Sequence, residues 1–237
     1  LCIGEAAAAE SLGAVIWEQS PVLQIQRGRR PKVVCRRGSV TAEQVVLAGN
    51  AYHLIEPALR NHLVPVNSFI IATEPLSATE IERYNPRDLA VCDPNFVLEY
   101  FRLSADKRLL FGGRCNYFGT DSARIRAMLM PKMLRLFPDL KHLKIDYAWG
   151  GTIGVTVNRV PQLGRLEDNI YFSQGYSGHG VNVTHLAGQI MAEAVSGTLE
   201  RFDIFAGIKP IPLPGVRRLQ RPMVSLGMMY YRLKDRL

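Results

Sequence analysis

The sequence predicts a mixed α/β fold. Three observations lead there. Helical periodicity and short apolar runs alternate along the 237 residues instead of separating into blocks. One run, Val45–Ala48, is continuously apolar, which suits a strand covered on both faces in a parallel or mixed sheet. A middle stretch reads as strand, hairpin and helix, the pattern of an antiparallel sheet with one covering helix.

The alanine-rich opening, GEAAAAESLG, is helical in character and ends near Gly13. AVIWEQSPVLQIQR then turns β-like, and KVVCRRGSVTAEQVVLAG adds two apolar runs broken by RRGS and TAE. VPVNSFIIATEPLS reads as a strand stopped by Pro75. Phe96–Leu103, the turn SADK and Arg108–Gly112 form a predicted hairpin. In the next segment Ile125, Leu129, Met133, Leu136 and Phe137 recur at helical spacing. Asp121 or Thr120 can cap that helix, and Pro131 predicts a kink in it. IDYAWGG reads as a strand followed by a glycine-rich break at Trp149–Gly154, and IYFSQ as another strand. The last strong helix spans Gly180 to Ser196, with Val183, Ala187, Ile190, Ala194 and Val195 on its buried side. The tail, residues 206–237, is Pro-rich and then basic and amphipathic. It suits either a helix docked on the body or one that meets a membrane surface, a partner or a second copy.

Composition narrows the function classes. With 47% hydrophobic and 21% charged residues, the chain can build a sizeable core and is not a disordered segment. The formal charge of +8 would suit acidic ligands, nucleic acid or anionic membranes. The arginines, however, cluster only at residues 27–37 and after Arg217 and form no single basic stripe, which argues against nucleic acid. Cys2, Cys35, Cys92 and Cys115 make no CxxC pair, and the five histidines lack metal-ligand spacing, so no metal site is expected. Free thiols, the absence of a basic leader and the lack of a run near the ~20 apolar residues of a membrane span point to the cytoplasm. The chain opens in mid-pattern, without methionine, as if continuing something longer.

Site chemistry centres on GYSGHGVNVTHLAGQ, residues 175–189. Three glycines, a hydroxyl and a histidine stand where a strand hands over to a helix. A helix N-terminus carries free N–H groups and about half a positive charge, and glycine lets a ligand approach the backbone closely. A tight turn with no ligand would use similar residues. Two further small-residue turns, VVLAGNAY and WGGTIG, each end a strand, and three such turns suit one extended cofactor. No Walker loop and no Ser-His-Asp order is present.

The ordered set SLGAVIWEQSPV, VVLAGNAY, VPVNSFIIATEPLS, YFRLSADKRLLFGGR, LRLFPDL, WGGTIGVTVNRVPQLGRL and GYSGHGVNVTHLAGQIMAEAVSG resembles the D-amino-acid-oxidase/glycine-oxidase superfamily of FAD enzymes. More narrowly, it resembles gamma-glutamylputrescine oxidoreductases. The resemblance covers nearly the whole chain and corresponds to the family's C-terminal part. The GxGxxG strand-helix that grips the pyrophosphate is absent, so the isolated chain is expected to be inactive.

The resemblance implies a Rossmann-like FAD-binding domain lacking its N-terminal βαβ, plus an antiparallel substrate sheet. It divides the chain into residues 1–60 and 146–205 for the FAD domain, 61–145 for the substrate domain and 206–237 for the tail. It implies that the Val22 backbone meets the adenine and that Ala48, Gly49 and Asn50 lie beside the pyrophosphate and ribose. Gly150 and Gly151 pass the flavin ring. Tyr176, Ser177, Gly178, His179, Gly180 and Val181 receive its pyrimidine side, where the helix dipole favours the reduced form. Tyr100 and Arg102 share one strand face by alternation and are the expected substrate-lining residues.

Two departures refine the reading. Gly151–Thr152 and Gly178 stand where glycine and sarcosine oxidases place carboxylate-clamping arginines, so an amine with a longer polar arm fits better than a simple α-amino acid. Thr152–Val160 holds no cysteine, so FAD is expected to be non-covalent. The implied reaction is hydride transfer from a CH–NH carbon to flavin, imine hydrolysis and reduction of oxygen to peroxide. No catalytic side chain is singled out. The rival reading is a non-catalytic flavoprotein half, or a subunit of a heteromeric amine dehydrogenase.

Overall fold

The structure is a computed structural model that describes residues 1–52, 55–95, 98–116, 121–212 and Lys234. Helix α1 (Cys2–Ser11) ends before Gly13, whose φ of +94° suits glycine. Strands β1 (Val22–Gln26), β2 (Lys32–Cys35) and β3 (Gly38–Thr41) form an antiparallel meander. The β-like stretch therefore starts at Val22 and not at Ala14. β4 (Val45–Leu47) leaves the meander for a second sheet, and the short helix α2 (Pro57–Arg60) follows.

β5 (Val64–Pro75) is the longest strand, at 12 residues. Helix α3 (Ala78–Tyr84) opens on a reciprocal capping box between Ser77 and Glu80. Strands β6 (Val91–Cys92), β7 (Glu99–Leu103) and β8 (Arg108–Asn116) come next. The predicted hairpin is present as β7–β8, with Phe96 and Val97 outside the described residues. Helix α4 (Ser122–Leu136) is capped by Asp121, which accepts from the Arg124 N–H at 2.8 Å, and it runs on through Pro131. Thr120 lies outside the described residues. Strands β9 (Ile145–Val155), β10 (Gln162–Glu167) and β11 (Ile170–Gln174), then helices α5 (Gly180–Val195) and α6 (Glu200–Ala206), complete the order. Of the tail, residues 213–233 and 235–237 lie outside the described residues.

Among the described residues the strands form three sheets. β1–β2–β3 is the small meander; β10–β11–β4 is mixed, with β11 parallel to β4; β6–β7–β8–β5–β9 is antiparallel throughout. In the five-stranded sheet, side chains alternate between two faces, with register shifts at Ser68/Phe69 and after Ala72 in β5. Phe69, Ile71, Leu103, Leu109 and Phe111 point to one face, where Ile125, Leu129 and Met133 of α4 complete a buried core. Losing a ring such as Phe111 from this core costs about 3–5 kcal/mol. The second core packs Ala187, Ile190, Met191 and Ala194 of α5 against Leu163, Tyr171 and Phe202.

The structure corrects four further expectations. Val46 is 42% exposed between buried Val45 and Leu47, so β4 is covered on one face among the described residues and not on both. Leu136 is exposed, because the core stripe at the end of α4 passes from Met133 to the buried Phe137 and leaves Leu136 on the outer side. Met191, which the periodicity did not single out, joins Ala187, Ile190 and Ala194 in the buried stripe of α5; Val195 packs half-buried on the same core, and Val183 stands outside it. Gly150–Gly154 do not break β9; they continue it, paired with β5 from Pro65 to Phe69. Glycine is needed there for close approach: a Cβ on Gly150 would lie 2.6 Å from Phe69 Cδ1, and one on Gly154 would lie 2.4 Å from Asn50 Oδ1.

Candidate active site

Between β11 and α5 the backbone reverses through three left-handed residues, Gly175 (φ +77°), Ser177 (+52°) and Gly178 (+91°). Glycine takes this conformation freely, whereas serine needs support. Ser177 has that support. Its N–H donates to Gly154 O at 2.9 Å, and its hydroxyl donates to Gly175 O at 3.1 Å and accepts the Thr156 N–H at 3.2 Å. The Ser177 hydroxyl is thus committed to holding the turn. Tyr176 also points inward: it bonds Ser173 and packs on the α5 core, and burial raises its pKa above the usual phenol value, with the Ser173 hydrogen bond opposing.

The end of β4 comes to the same place. Asn50 is left-handed at φ +46°, and its Oδ1 accepts the Gly175 N–H at 2.9 Å. Two residues on, the Tyr52 hydroxyl accepts the Thr152 N–H at 3.1 Å, while the Thr152 hydroxyl donates to Asn67 Oδ1 at 2.7 Å. The turn at Ala48–Asn50, the middle of β9 and the turn before α5 therefore meet. Val22 stands apart from them at the start of β1, paired with Cys35 in the meander.

α5 begins on this junction with an open N-terminus. Its N-cap, His179, makes no side-chain cap bond, and Val181 in the first turn is 77% exposed. Sixteen residues of helix stand behind those N–H groups. Gly178 and Ile153 touch: a Cβ on Gly178 would meet Ile153 Cδ1 at 3.6 Å. By strand alternation Ile153, Gly151, Trp149 and Tyr147 share one face of β9, the face away from the α4 core.

The same face carries the expected substrate residues. Strand register lines up Tyr100, Gly112, Ile70 and Trp149 in one row across the sheet, with Arg102, Leu110, Ala72 and Tyr147 in the next. Glu99, Phe101 and Leu103 turn to the opposite face, where Glu99 pairs with Lys132 and Arg135 of α4. Tyr100 lies flat over Gly112: a Cβ there would be 2.1 Å from Tyr100 Cε2. Its hydroxyl reaches Ser68 at 3.2 Å, and Ser68 is paired across the strands with Gly151. Arg102 is exposed and bonds the Leu103 carbonyl at 3.2 Å.

These residues fit a flat ligand with a polar carbonyl edge. A Cβ on Gly151 would meet no described atom within 4 Å, so the backbone there is open to a ring laid against it. The uncapped N–H groups of α5 supply donors and partial positive charge to one edge of such a ring. The Tyr100 hydroxyl lies at the Ser68–Gly151 row, on the sheet face the ring would cover. Sequence reasoning identified the turns at Ala48–Asn50 and before α5, read the glycine stretch that continues β9 as a break, and named Tyr100 and Arg102, which the register places on the open face. It missed Tyr52, Ser68, Gly112 and Thr152, whose roles depend on pairings between distant strands; only the doubled glycine in FGGR carried a local signal.

Comparison with known proteins identifies the family. A family model described as FAD dependent oxidoreductase (DAO) matches residues 1–194. Gamma-glutamylputrescine oxidoreductase of Escherichia coli K12 is 45% identical over 239 residues, covering 100% of this chain and 56% of that protein. A probable oxidoreductase, OrdL, of Haemophilus influenzae is 41% identical, covering 99% of this chain and 55% of its own length. The chain thus spans about half the length of the curated relatives it matches. The solved glycine oxidase of Geobacillus kaustophilus superposes with a TM-score of 0.69 at 23% identity, over 83% of this chain and 55% of that one. L-proline dehydrogenase of P. horikoshii gives 0.68 at 21%, over 84% and 58%. The chain belongs to the DAO family of FAD-dependent oxidoreductases, and its cofactor is FAD.

Proposed function

We propose that the protein oxidises an amine at a CH–NH bond, with a gamma-glutamylputrescine-like substrate. The observation that carries this reading is the open face of the five-stranded sheet, where Tyr100 is held at Ser68 beside an unobstructed Gly151. The 45% identity to a gamma-glutamylputrescine oxidoreductase supports the substrate class.

In this reading Ala48, Gly49 and Asn50 flank the pyrophosphate and ribose, and the Val22 backbone meets the adenine. Gly150 and Gly151 run past the ring, and Tyr176–Val181 form the turn around its pyrimidine edge. The residues divide accordingly into an FAD portion (1–60 and 146–205) and a substrate portion (61–145). FAD is held non-covalently, since Thr152–Val160 contains no cysteine. When bound, FAD supplies acceptance of a hydride from the carbon beside the substrate nitrogen; the imine released then hydrolyses, and oxygen is reduced to peroxide. The chain's own work is positioning and electrostatics. The first-turn N–H groups of α5 stabilise negative charge at the ring edge, Tyr100 and Ser68 orient the amine, and the sheet face keeps one side of it dry. We place this activity in the cytoplasm; among the described residues no helix is long and apolar enough to cross a membrane.

Anaerobic mixing of the full-length flavoprotein with gamma-glutamylputrescine tests the reading. The visible flavin band should bleach. An unchanged spectrum across that amine and a panel of shorter and longer amines would overturn it.

A further inference from the structure

The open face of the sheet ends in a hollow of about 630 Å³, lined by Ala72, Arg108, Leu110, Arg126, Tyr147 and Trp149 among others. Tyr147 and Trp149 are 57% and 43% exposed, which is high for aromatic rings on a strand. The polar groups around them are arranged unequally. Arg108 lies over the Tyr147 ring at 5.1 Å from its centroid and pairs with Asp106 at 2.6 Å and with Asp146. Its charge is therefore already met. Arg126, on α4, donates to the Asp146 carbonyl at 3.3 Å and pairs with no carboxylate among the described residues. Asp106 and Asp146 each use one carboxylate oxygen on Arg108, and Asp106 uses its second on Ser104.

The charges balance, two guanidinium groups against two carboxylates. An anionic arm entering here would face Asp106 and Asp146, and a cationic one would face Arg108 and Arg126. A zwitterion satisfies both kinds of partner, its carboxylate on Arg126 and its ammonium on the aspartates. Distance selects further. Trp149 and Tyr147 lie two and four residues before Gly151 on β9, ~7 and ~13 Å at ~3.4 Å per residue. An extended chain covers ~1.1 Å per bond, so eight bonds between an oxidised carbon and an amino-acid head span ~9 Å.

We propose that this hollow is the subsite for the far end of the substrate, and that it takes a zwitterionic amino-acid head carried on an amine of that length. This rests on the amine-oxidising reading above and deepens it. Arg126 is the specificity residue for the head's carboxylate, and the Trp149 ring supports the arm between the head and the reacting carbon.

The test uses the full-length flavoprotein and γ-glutamylpropylamide, which has the head and the arm but lacks the terminal amine at the reacting end. Calorimetric titration should show binding to the wild type. Arg126→Ala should weaken it about tenfold or more, the size of a lost charge-assisted hydrogen bond. Arg36→Ala, an exposed change elsewhere, should leave it unchanged. In turnover, Arg126→Ala should raise KM for gamma-glutamylputrescine with kcat kept, and should leave N-acetylputrescine, which lacks the head, unaffected. No binding by the wild type, equal binding by Arg126→Ala, or equal loss with both amines overturns the proposal. Because the titration needs no turnover, a protein that binds the amide but is bleached by no amine removes the oxidation reading and leaves the subsite standing.

Discussion

Gly112 is glycine because Tyr100 occupies the space its side chain would need. An added Cβ would sit 2.1 and 2.2 Å from ring atoms of Tyr100, so Gly112→Ala must lift the ring and break its 3.2 Å contact with Ser68. Displacing a positioning group by about an ångström can cost ~100-fold in rate. We expect kcat/KM of the full-length enzyme to fall about 10- to 100-fold in Gly112→Ala, with the melting temperature nearly kept; an unchanged kcat/KM would show that Tyr100 does not contact substrate. Asn50 invites a different experiment. Its side chain satisfies the Gly175 N–H, and that N–H has no water to turn to if the turn stays closed. Asn50→Ala should cost about 1–3 kcal/mol in urea denaturation, more than an ordinary surface change. Neither pairing could be read from the sequence. Tyr100 and Ser68 are 32 positions apart, and Asn50 and Gly175 are 125 apart. Only the strand register brings them together.

Elements were more legible than pairings. α4 declared itself through Ile125, Leu129 and Met133 and through its cap, because amphipathic spacing and an N-terminal aspartate are local signals. Asp121→Ala should destabilise by about 1 kcal/mol, read from the thermal or urea midpoint. β9 was misjudged for an equally physical reason. Paired glycines usually mark turns, but here they make room for Phe69 and Asn50, which belong to other strands and loops. The exposed Val46 misled in the opposite direction: an apolar run states what a strand can bury, not what is present to cover it. At α3, hydrogen bonds from Ser77 hold the Glu80 pKa below its ordinary value of 4.5, with His142 adding a smaller effect. A depressed carboxylate stabilises the fold above its unfolded pKa and loses that contribution as pH falls through the folded one. Acidification below about pH 4.5 should therefore loosen α3, and Glu80→Gln should flatten that part of the stability profile. Melts of the two proteins across the acid range would show it; parallel profiles would rule it out.

At the scale of the whole molecule, the candidate cofactor region is the place where two sheets are stitched together. The bonds from Ser177 to Gly154 and from Thr152 to Tyr52 join the end of the mixed sheet to the end of β9, and the bond from Gly175 to Asn50 ties the ends of β11 and β4 together beside them. A ligand bound across that seam contacts both sides, so it stabilises the arrangement by mass action. FAD at about 100 times its Kd should add about 2.7 kcal/mol to the full-length protein if it binds only the folded form. Titrating FAD against the melting temperature measures this, and a melting temperature that ignores FAD would place the cofactor elsewhere. The mixed α/β class was visible in the sequence, as were the turn after β4 and the glycine turn before α5, whereas the third glycine stretch proved to be strand. The convergence of the three was not visible, since a turn records its own geometry and carries no address for its neighbours.

With the flavin ring against Gly151, as proposed, the open sheet face also makes the protein optically self-reporting. Trp149 is one of two tryptophans in the chain, and it stands two residues, ~7 Å along the strand, from Gly151. Indole emission overlaps flavin absorption, so a ring seated against Gly151 drains light from Trp149 by energy transfer. Replacing Trp17 with phenylalanine leaves Trp149 as this chain's single donor. Cofactor loading then becomes visible as dimming in a cuvette, without any turnover.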